Sequence, residues 1–166
     1  MKTHRLEIDE FDLDDERQHV FIAIHATIDG SLAAFLINSN ANLRLRRKEK
    51  DFIKMVNNLP EVYEHFTYDD ESAYLVYDLF KNQYQTVESQ IMSSTGLFAG
   101  IAEETKVKKH LSPSHRRADY ILRIQSEGNT IASKSILTQI NQIPQVISAY
   151  IIDRSNYGPG LNQIIE

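Results

Sequence analysis

Stretches that repeat every two residues alternate with stretches that repeat every three or four, and this rhythm predicts the elements before any chemistry is considered. "HRLEI" alternates like a short strand, and "DEFDLDDE" after it is an acidic connector with Phe11 and Leu13 available to pin it to the core. "QHVFIAIHATI", Gln18 to Ile28, is a β-rich apolar run too continuous for an exposed edge, so it predicts a central strand. After the turn Asp29-Gly30-Ser31, "LAAFLINSN" places Leu32, Phe35, Leu36 and Ser39 on one face of a helix of about three turns. "NLRLRR" alternates again, Leu43 and Leu45 one way and Arg44 and Arg46 the other, which makes its basic residues the outer face of a strand. From there to Asn58 no period stands out.

"EVYEHFTYDDESAYLVYDLFKNQYQTV" carries aromatic and β-branched residues on both sides of the polar turn Asp69 to Ser72, the signature of two antiparallel strands. Residues 88 to 105, with "SSTGLFAG", read as a loop that can cover a face with Leu97 and Phe98. A strand "ADYILRI", a turn "SEGN", a helix from Thr130 to Gln142 with Ile131, Ile136 and Ile140 inward, and a strand "VISAYIID" complete a second strand–helix–strand unit. Two such units around a hairpin predict an α+β chain: a mainly antiparallel sheet with two helices packed on one face, a ferredoxin-like or related sandwich. The tail 154–166, "RSNYGPGLNQIIE", is expected to be extended, pairing along a sheet edge or serving a partner.

A length of 166 residues, 42% of them apolar, suits a single α+β domain over 1–166 with a real core. No stretch reaches the roughly 18 apolar residues a membrane span needs, and the first residues lack a signal-peptide core, so the expectation is a cytoplasmic protein without a membrane partner. The absence of cysteine removes disulfides, thiolate nucleophiles and Cys-based metal sites, and fits a reducing compartment.

The net charge of −5 conceals a segregation. Acids crowd the first sixteen residues, whereas "RLRRKEK" (44–50) and "KVKKHLSPSHRR" (106–117) are basic. Arg44, Arg46 and Arg47 with Lys108, Lys109, Arg116 and Arg117 form a polyanion site if the two windows converge, and a solvated face if they do not. Aromatic residues for base stacking are not interleaved with them.

Other chemistries lack their partners. His19 and His25 would stand about 20 Å apart along one strand, and His110 and His115 have no nearby acid before Asp119, so no metal site is expected. The acidic run near the start lacks the central glycine and terminal glutamate of a calcium loop. Asp69, Asp70 and Glu71 could raise one another's pKa, but no nucleophile or base stands beside them. "GLFAG" and "YGPG" lack the strand-to-helix glycine pattern of phosphate loops, and serine beside histidine in "SPSHRR" does not make a triad. No cofactor and no catalytic residue follow, and the enzyme question stays open, leaning to no.

Pro113 fixes a turn, after which Ala118, Tyr120 and Leu122 alternate with Asp119, Ile121 and Arg123, as in a strand with one well-buried face. Asp119 then reads as structural, its carboxylate accepting backbone N–H groups or pairing with Arg116 or Arg117. Over nearly the whole chain, the order of "THRLEIDEFD", "FIAIHATIDGSLAAFLIN", "NLRLRR", "YEHFTYDDESAYLVYDLFKNQ", "SPSHRRADYILRI" and "TQINQIPQVISAYIID" resembles the bacterial IPExxxVDY family. Pro113, Asp119 and Tyr120 match its naming motif, while Ser112, Ser114 and Ala118 stand where Ile, Glu and Val are usual. The resemblance implies a small cytoplasmic protein and no catalytic residues to carry over. Three functions remain: a non-enzymatic interaction or regulatory module with a protein partner or a second copy of itself, self-association running through a sheet edge or an apolar face at 96–101 or 161–165; an RNA-associated protein using 44–50 and 106–117; or a small-molecule binder or enzyme with a pocket that no motif announces.

Overall fold

The computed structural model describes residues 17–91 and 102–166. In chain order these form β1 (Arg17–His25), α1 (Gly30–Ala41), β2 (Arg46–Arg47), β3 (Phe52–Val56), β4 (Leu59–Tyr63), β5 (His65–Asp70), β6 (Leu75–Lys81), β7 (Gln83–Ile91), β8 (Ala102–His110), β9 (Tyr120–Glu127), α2 (Ser133–Asn141), β10 (Ser148–Ile151) and α3 (Pro159–Ile165). The acidic segment before residue 17 and the stretch bearing Leu97 and Phe98 lie outside the described residues.

The chain is α+β, as its periodicities predict. Six strands pair antiparallel in the order β10-β1-β9-β6-β5-β2, and β3-β4 and β7-β8 form separate two-stranded ribbons. β9 and β10 both run antiparallel to β1, so the β9–α2–β10 connection crosses over the strand between them. Residues 88–91 and 102–105, expected as loop, belong to the β7-β8 ribbon, where Gln83 to Ile91 pairs with Ala102 to His110. The β3-β4 hairpin fills the segment that showed no period. Its signal was Asn57-Asn58, both at positive φ, a two-residue turn whose twist suits antiparallel strands.

Both faces of the central strands are buried. Ile22, Ile24, Leu79, Tyr120, Leu122 and Ile124 point toward α1 and α2. Phe21, Ala23, Phe80 and Ile121 point the other way, into a second cluster with Tyr63, Leu111, Leu161 and Ile164. The expected single buried face of β9 is therefore corrected: Ile121 is fully buried, because α3 and the turn at Leu111 cover the side opposite the two longer helices.

Helix α1 starts where the Asp29 carboxylate accepts the Leu32 N–H, and ends at Asn42 in the left-handed conformation. That cap fixes the phase of the helix. The expected inner face of Leu32, Phe35, Leu36 and Ser39 is corrected: Ala33, Ala34, Ile37 and Ala41 are buried, while Phe35 is 63% exposed. Small side chains let the helix lie close to a sheet whose facing positions are already filled by Ile22, Ile24 and Leu122. In α2, Ile136 and Ile140 are buried and Ile131 packs beside them. The tail is not extended. Pro159 opens α3 with its fixed φ, and Leu161 and Ile164, three apart, bury one helical face. Gly160 is required there, because a Cβ would run into the Leu111 carbonyl oxygen.

Each edge of the six-stranded sheet is gripped by an asparagine. On β10, Asn141 at the end of α2 accepts the Ala149 N–H through Oδ1 (2.9 Å) and donates to the Ala149 carbonyl (3.1 Å). On the β2 side, Asn38 of α1 does the same to Leu45, the residue just before the edge strand, accepting at 2.8 Å and donating at 3.0 Å. Each amide occupies a donor and an acceptor that another strand could otherwise use. Replacing Asn141 by Ala is expected to lower stability by about 1–2 kcal/mol, two modest hydrogen bonds, and to raise concentration-dependent association. Urea titration and sedimentation check both effects, and an unchanged sedimentation profile denies the edge-blocking role.

Candidate functional site

The turn from Leu111 to Ala118 is bolted to the sheet by Asn82, a fully buried residue at the end of β6. Its side-chain oxygen accepts the Ser112 N–H (2.8 Å), and its amide donates to the carbonyls of His115 (3.0 Å) and Ala118 (2.9 Å). Its backbone carbonyl accepts the Leu111 N–H, and its own N–H donates to Asp119. Pro113 opens a 3-10 turn over 113–115, inside which the Ser112 hydroxyl meets His115 Nδ1 at 2.8 Å. Burial holds the His115 imidazole below its usual pKa. This serine–histidine contact is local, three residues apart, and it closes the turn.

Asp119 and Tyr120 fasten the other side of the same junction. The Asp119 carboxylate accepts the Ala26 N–H at 2.9 Å, and His25 Nε2 stands 3.6 Å from the same oxygen. Of the two expected arrangements, a backbone N–H group or a pairing with Arg116 or Arg117, the structure shows the first, because the register sets Tyr120 opposite Ile24 and brings the end of β1 alongside. Tyr120 donates its hydroxyl to the Ile28 carbonyl, and burial raises its pKa well above the ordinary tyrosine value. Together the two residues hold the connection between β1 and α1.

The two basic windows lie on separate elements of the fold. Arg44 and Arg46 are exposed at the β2 edge, bordering a shallow depression with Thr67 and Asp69. Arg47 is committed to Asp51 (2.5 Å), lies 3.7 Å from Glu64, and sits over the Phe66 ring. Lys108 and Lys109 belong to β8, and Arg116 and Arg117 to the turn beyond it. Within that second window the charges do meet: burial first, then Arg116 and Lys108, push the His110 pKa down. The β5 and β6 strands separate β2 from β9 and its leading turn. Asp70 also departs from the acid–base idea, since the Ser72 hydroxyl and backbone N–H groups outweigh burial and lower its pKa.

Sequence reasoning missed a buried polar trio under α3. Asp78 lies between His65, whose Nε2 is 2.7 Å from Oδ1, and Arg123, whose Nη2 is 2.5 Å from Oδ2. Arg123 also donates Nη1 to the Ile164 carbonyl (2.7 Å), which ties the last helix to the sheet. Burial by itself would raise the Asp78 pKa, but His65 and Arg123 overcome it and hold the group at about 2. The signal was present: opposite charges sit mid-strand in "LVYDLF" and "YILRI", where a solvated face does not explain them.

It also missed the β3-β4 hairpin, whose amphipathicity is inverted. Lys54 and Glu61, directly opposite in register, point inward and are buried, 3.7 Å apart, with the Tyr63 hydroxyl donating to Glu61 Oε2 at 2.7 Å. The outward face carries the pairs Ile53–Val62 and Met55–Pro60, with Ile53 58% and Met55 53% exposed. Four apolar side chains facing outward over a buried ion pair reverse the ordinary arrangement. Among the described residues no group of three or more acidic or histidine side chains could hold a metal, and no helix is long and apolar enough to cross a membrane. No family model, curated protein or solved structure matches the chain.

Asn82→Ala is expected to destabilise the fold by about 3 kcal/mol, since it leaves the buried Ser112 N–H and the Ala118 carbonyl unmatched and takes one of two donors from the His115 carbonyl. Chemical denaturation tests this, and a loss under about 1 kcal/mol would show that the turn is held by other contacts. Asp78 predicts an acid response. Its folded pKa lies below the unfolded value, so its contribution is complete above pH about 4 and fades as pH falls toward 2, amounting to about 2 kcal/mol. Unfolding free energies measured from pH 5 to about 2 should therefore fall, and Asp78→Asn should flatten that slope while lowering stability at neutral pH.

Proposed function

We propose that this chain is a non-enzymatic protein-interaction module of the cytoplasm, engaging its partner through the outward face of the β3-β4 hairpin. One observation carries the reading: Ile53, Met55, Pro60 and Val62 form a charge-free apolar face, while the ionic pair of the same hairpin is turned inside. An exposed apolar face of this kind is stable in water only at a cost, and contact with a matching surface removes it. The resemblance to the IPExxxVDY family fits this reading, since Asp119 and Tyr120 are engaged as fasteners and leave no reactive group at the motif. The strand order β10-β1-β9-β6, with its helical crossovers, favours a ferredoxin-like core extended by β5 and β2. Both asparagine-gripped edges favour association through a face over association through a strand edge.

The test is retention of partners from cytoplasmic extract by the tagged protein and by an Ile53→Asp/Met55→Asp variant, at low and moderate salt. A stoichiometric protein that survives salt and is lost with the variant supports the module. Equal capture by both forms removes the hairpin face from the reading, and recovery of RNA that disappears as salt rises moves the function to the basic windows.

A further inference from the structure

Beside the same hairpin lies a cleft of about 450 Å³ that shares only Pro60 with the interaction face. Val56, Leu59 and Pro60 form one wall, and Tyr84 and Val87 of β7 form the other. The volume falls in the range of small-ligand sites, which are mostly apolar with a few placed polar groups. Here the polar lining is Asn57, Glu61, Thr86 and Lys109, of which Glu61 is the buried one.

We propose that this cleft binds a small, ring-bearing apolar molecule that donates a neutral hydrogen bond to the Glu61 carboxylate. A buried ion pair adds little stability over apolar residues of the same volume, so packing alone does not explain Lys54 and Glu61 on the inner face of a short hairpin. A carboxylate can accept about four hydrogen bonds, and Tyr63 takes one of them. The Tyr63 hydroxyl stays a donor, because burial and then Glu61 hold its pKa far above the usual value. The rest of that accepting capacity belongs to a side chain that borders open space between apolar walls.

The charge balance selects the ligand class. Lys54 offsets Glu61 at 3.7 Å and Lys109 lines the same cleft, so a cationic ligand would bring a further positive charge beside them. A hydroxyl or ring N–H adds a hydrogen bond without adding charge. The ring follows from the walls: Tyr84 offers an aromatic side chain beside the apolar Val56, Leu59, Pro60 and Val87, with Asn57 and Thr86 as the uncharged polar groups at their side.

Indole and 1-methylindole, which differ in the single N–H, are the probes, added separately to isotopically labelled protein and followed by amide chemical shifts. Indole should give saturable shifts at Val56, Leu59, Tyr84 and Val87, with 1-methylindole at least about tenfold weaker, as expected when a hydrogen bond to a charged acceptor is lost. Val87→Trp fills the cleft from a position that is 53% exposed, so its spectrum should remain folded while indole binding disappears. Glu61→Leu should bind the two probes alike. Absence of saturable shifts at these residues overturns the proposal. So does equal affinity for the two probes in the unaltered protein, or undiminished indole binding by Val87→Trp.

Discussion

The strands β1, β6 and β9 have no solvated side, and that constraint organises everything around them. Phe21, Ala23, Phe80 and Ile121 are as deeply buried as Ile22, Ile24, Leu79 and Leu122. A sheet with one wet face needs one layer of helices; this one needs two covers. Helices α1 and α2 supply the first. The second is assembled from pieces too small to stand alone: the seven residues of α3, the turn at Leu111 and the inner side of the β3-β4 hairpin. Such a composite cover depends on fasteners, which is why polar groups are buried on this side. Asn82 fixes the turn, Arg123 reaches the Ile164 carbonyl, and Asp78 with His65 keeps that arginine matched inside.

The distinction between the covers explains what the sequence made legible. The first face announces itself: the apolar run from Gln18 to Ile28, the hairpin around residue 70, the strand from Tyr120 and the helix bearing Ile136 and Ile140 all follow a period that one cover enforces. The second face has no long period to read, because its cover is built from short segments whose spacing is set in three dimensions. Leu161 and Ile164 are only one helical turn, and "YGPG" before them reads as a turn leading to an extended tail. Inside α1, periodicity alone favoured the larger side chains. The Asp29 cap and the bulk of the opposing sheet turned the alanines inward instead.

The candidate site was less legible than the fold for a related reason. A charge in an apolar strand has two readings, a solvated face or a buried pair, and only register separates them. Asp78 and Arg123 stand opposite one another in β6 and β9, as do Lys54 and Glu61 in β3 and β4. Each pair is two isolated charges when read along the chain and one neutral unit when read across it. Basic residues mislead in the opposite direction. Arg44, Arg46 and Arg47 cluster in sequence, yet strand alternation sends Arg47 over Phe66 toward Asp51, while Arg44 and Arg46 border Asp69. Density along a chain is a poor guide to a patch wherever the chain is a strand, because successive side chains part to opposite faces.

Edges and faces divide the remaining work. Asn38 and Asn141 come from different helices, yet each occupies both backbone groups of one residue at a sheet edge. On β3, Lys54 points inward from the middle of an otherwise apolar strand, and an inward charge near an edge discourages another strand from adding there. Three devices of two chemistries, paired amides and an inward charge, thus oppose the same event, strand addition, in a chain rich in β-forming residues. None of them acts on the outward side of Ile53 and Met55. Protection against indiscriminate pairing combined with an uncovered apolar face is the arrangement expected of a surface reserved for a particular contact, because side-chain packing discriminates between partners where backbone hydrogen bonding does not.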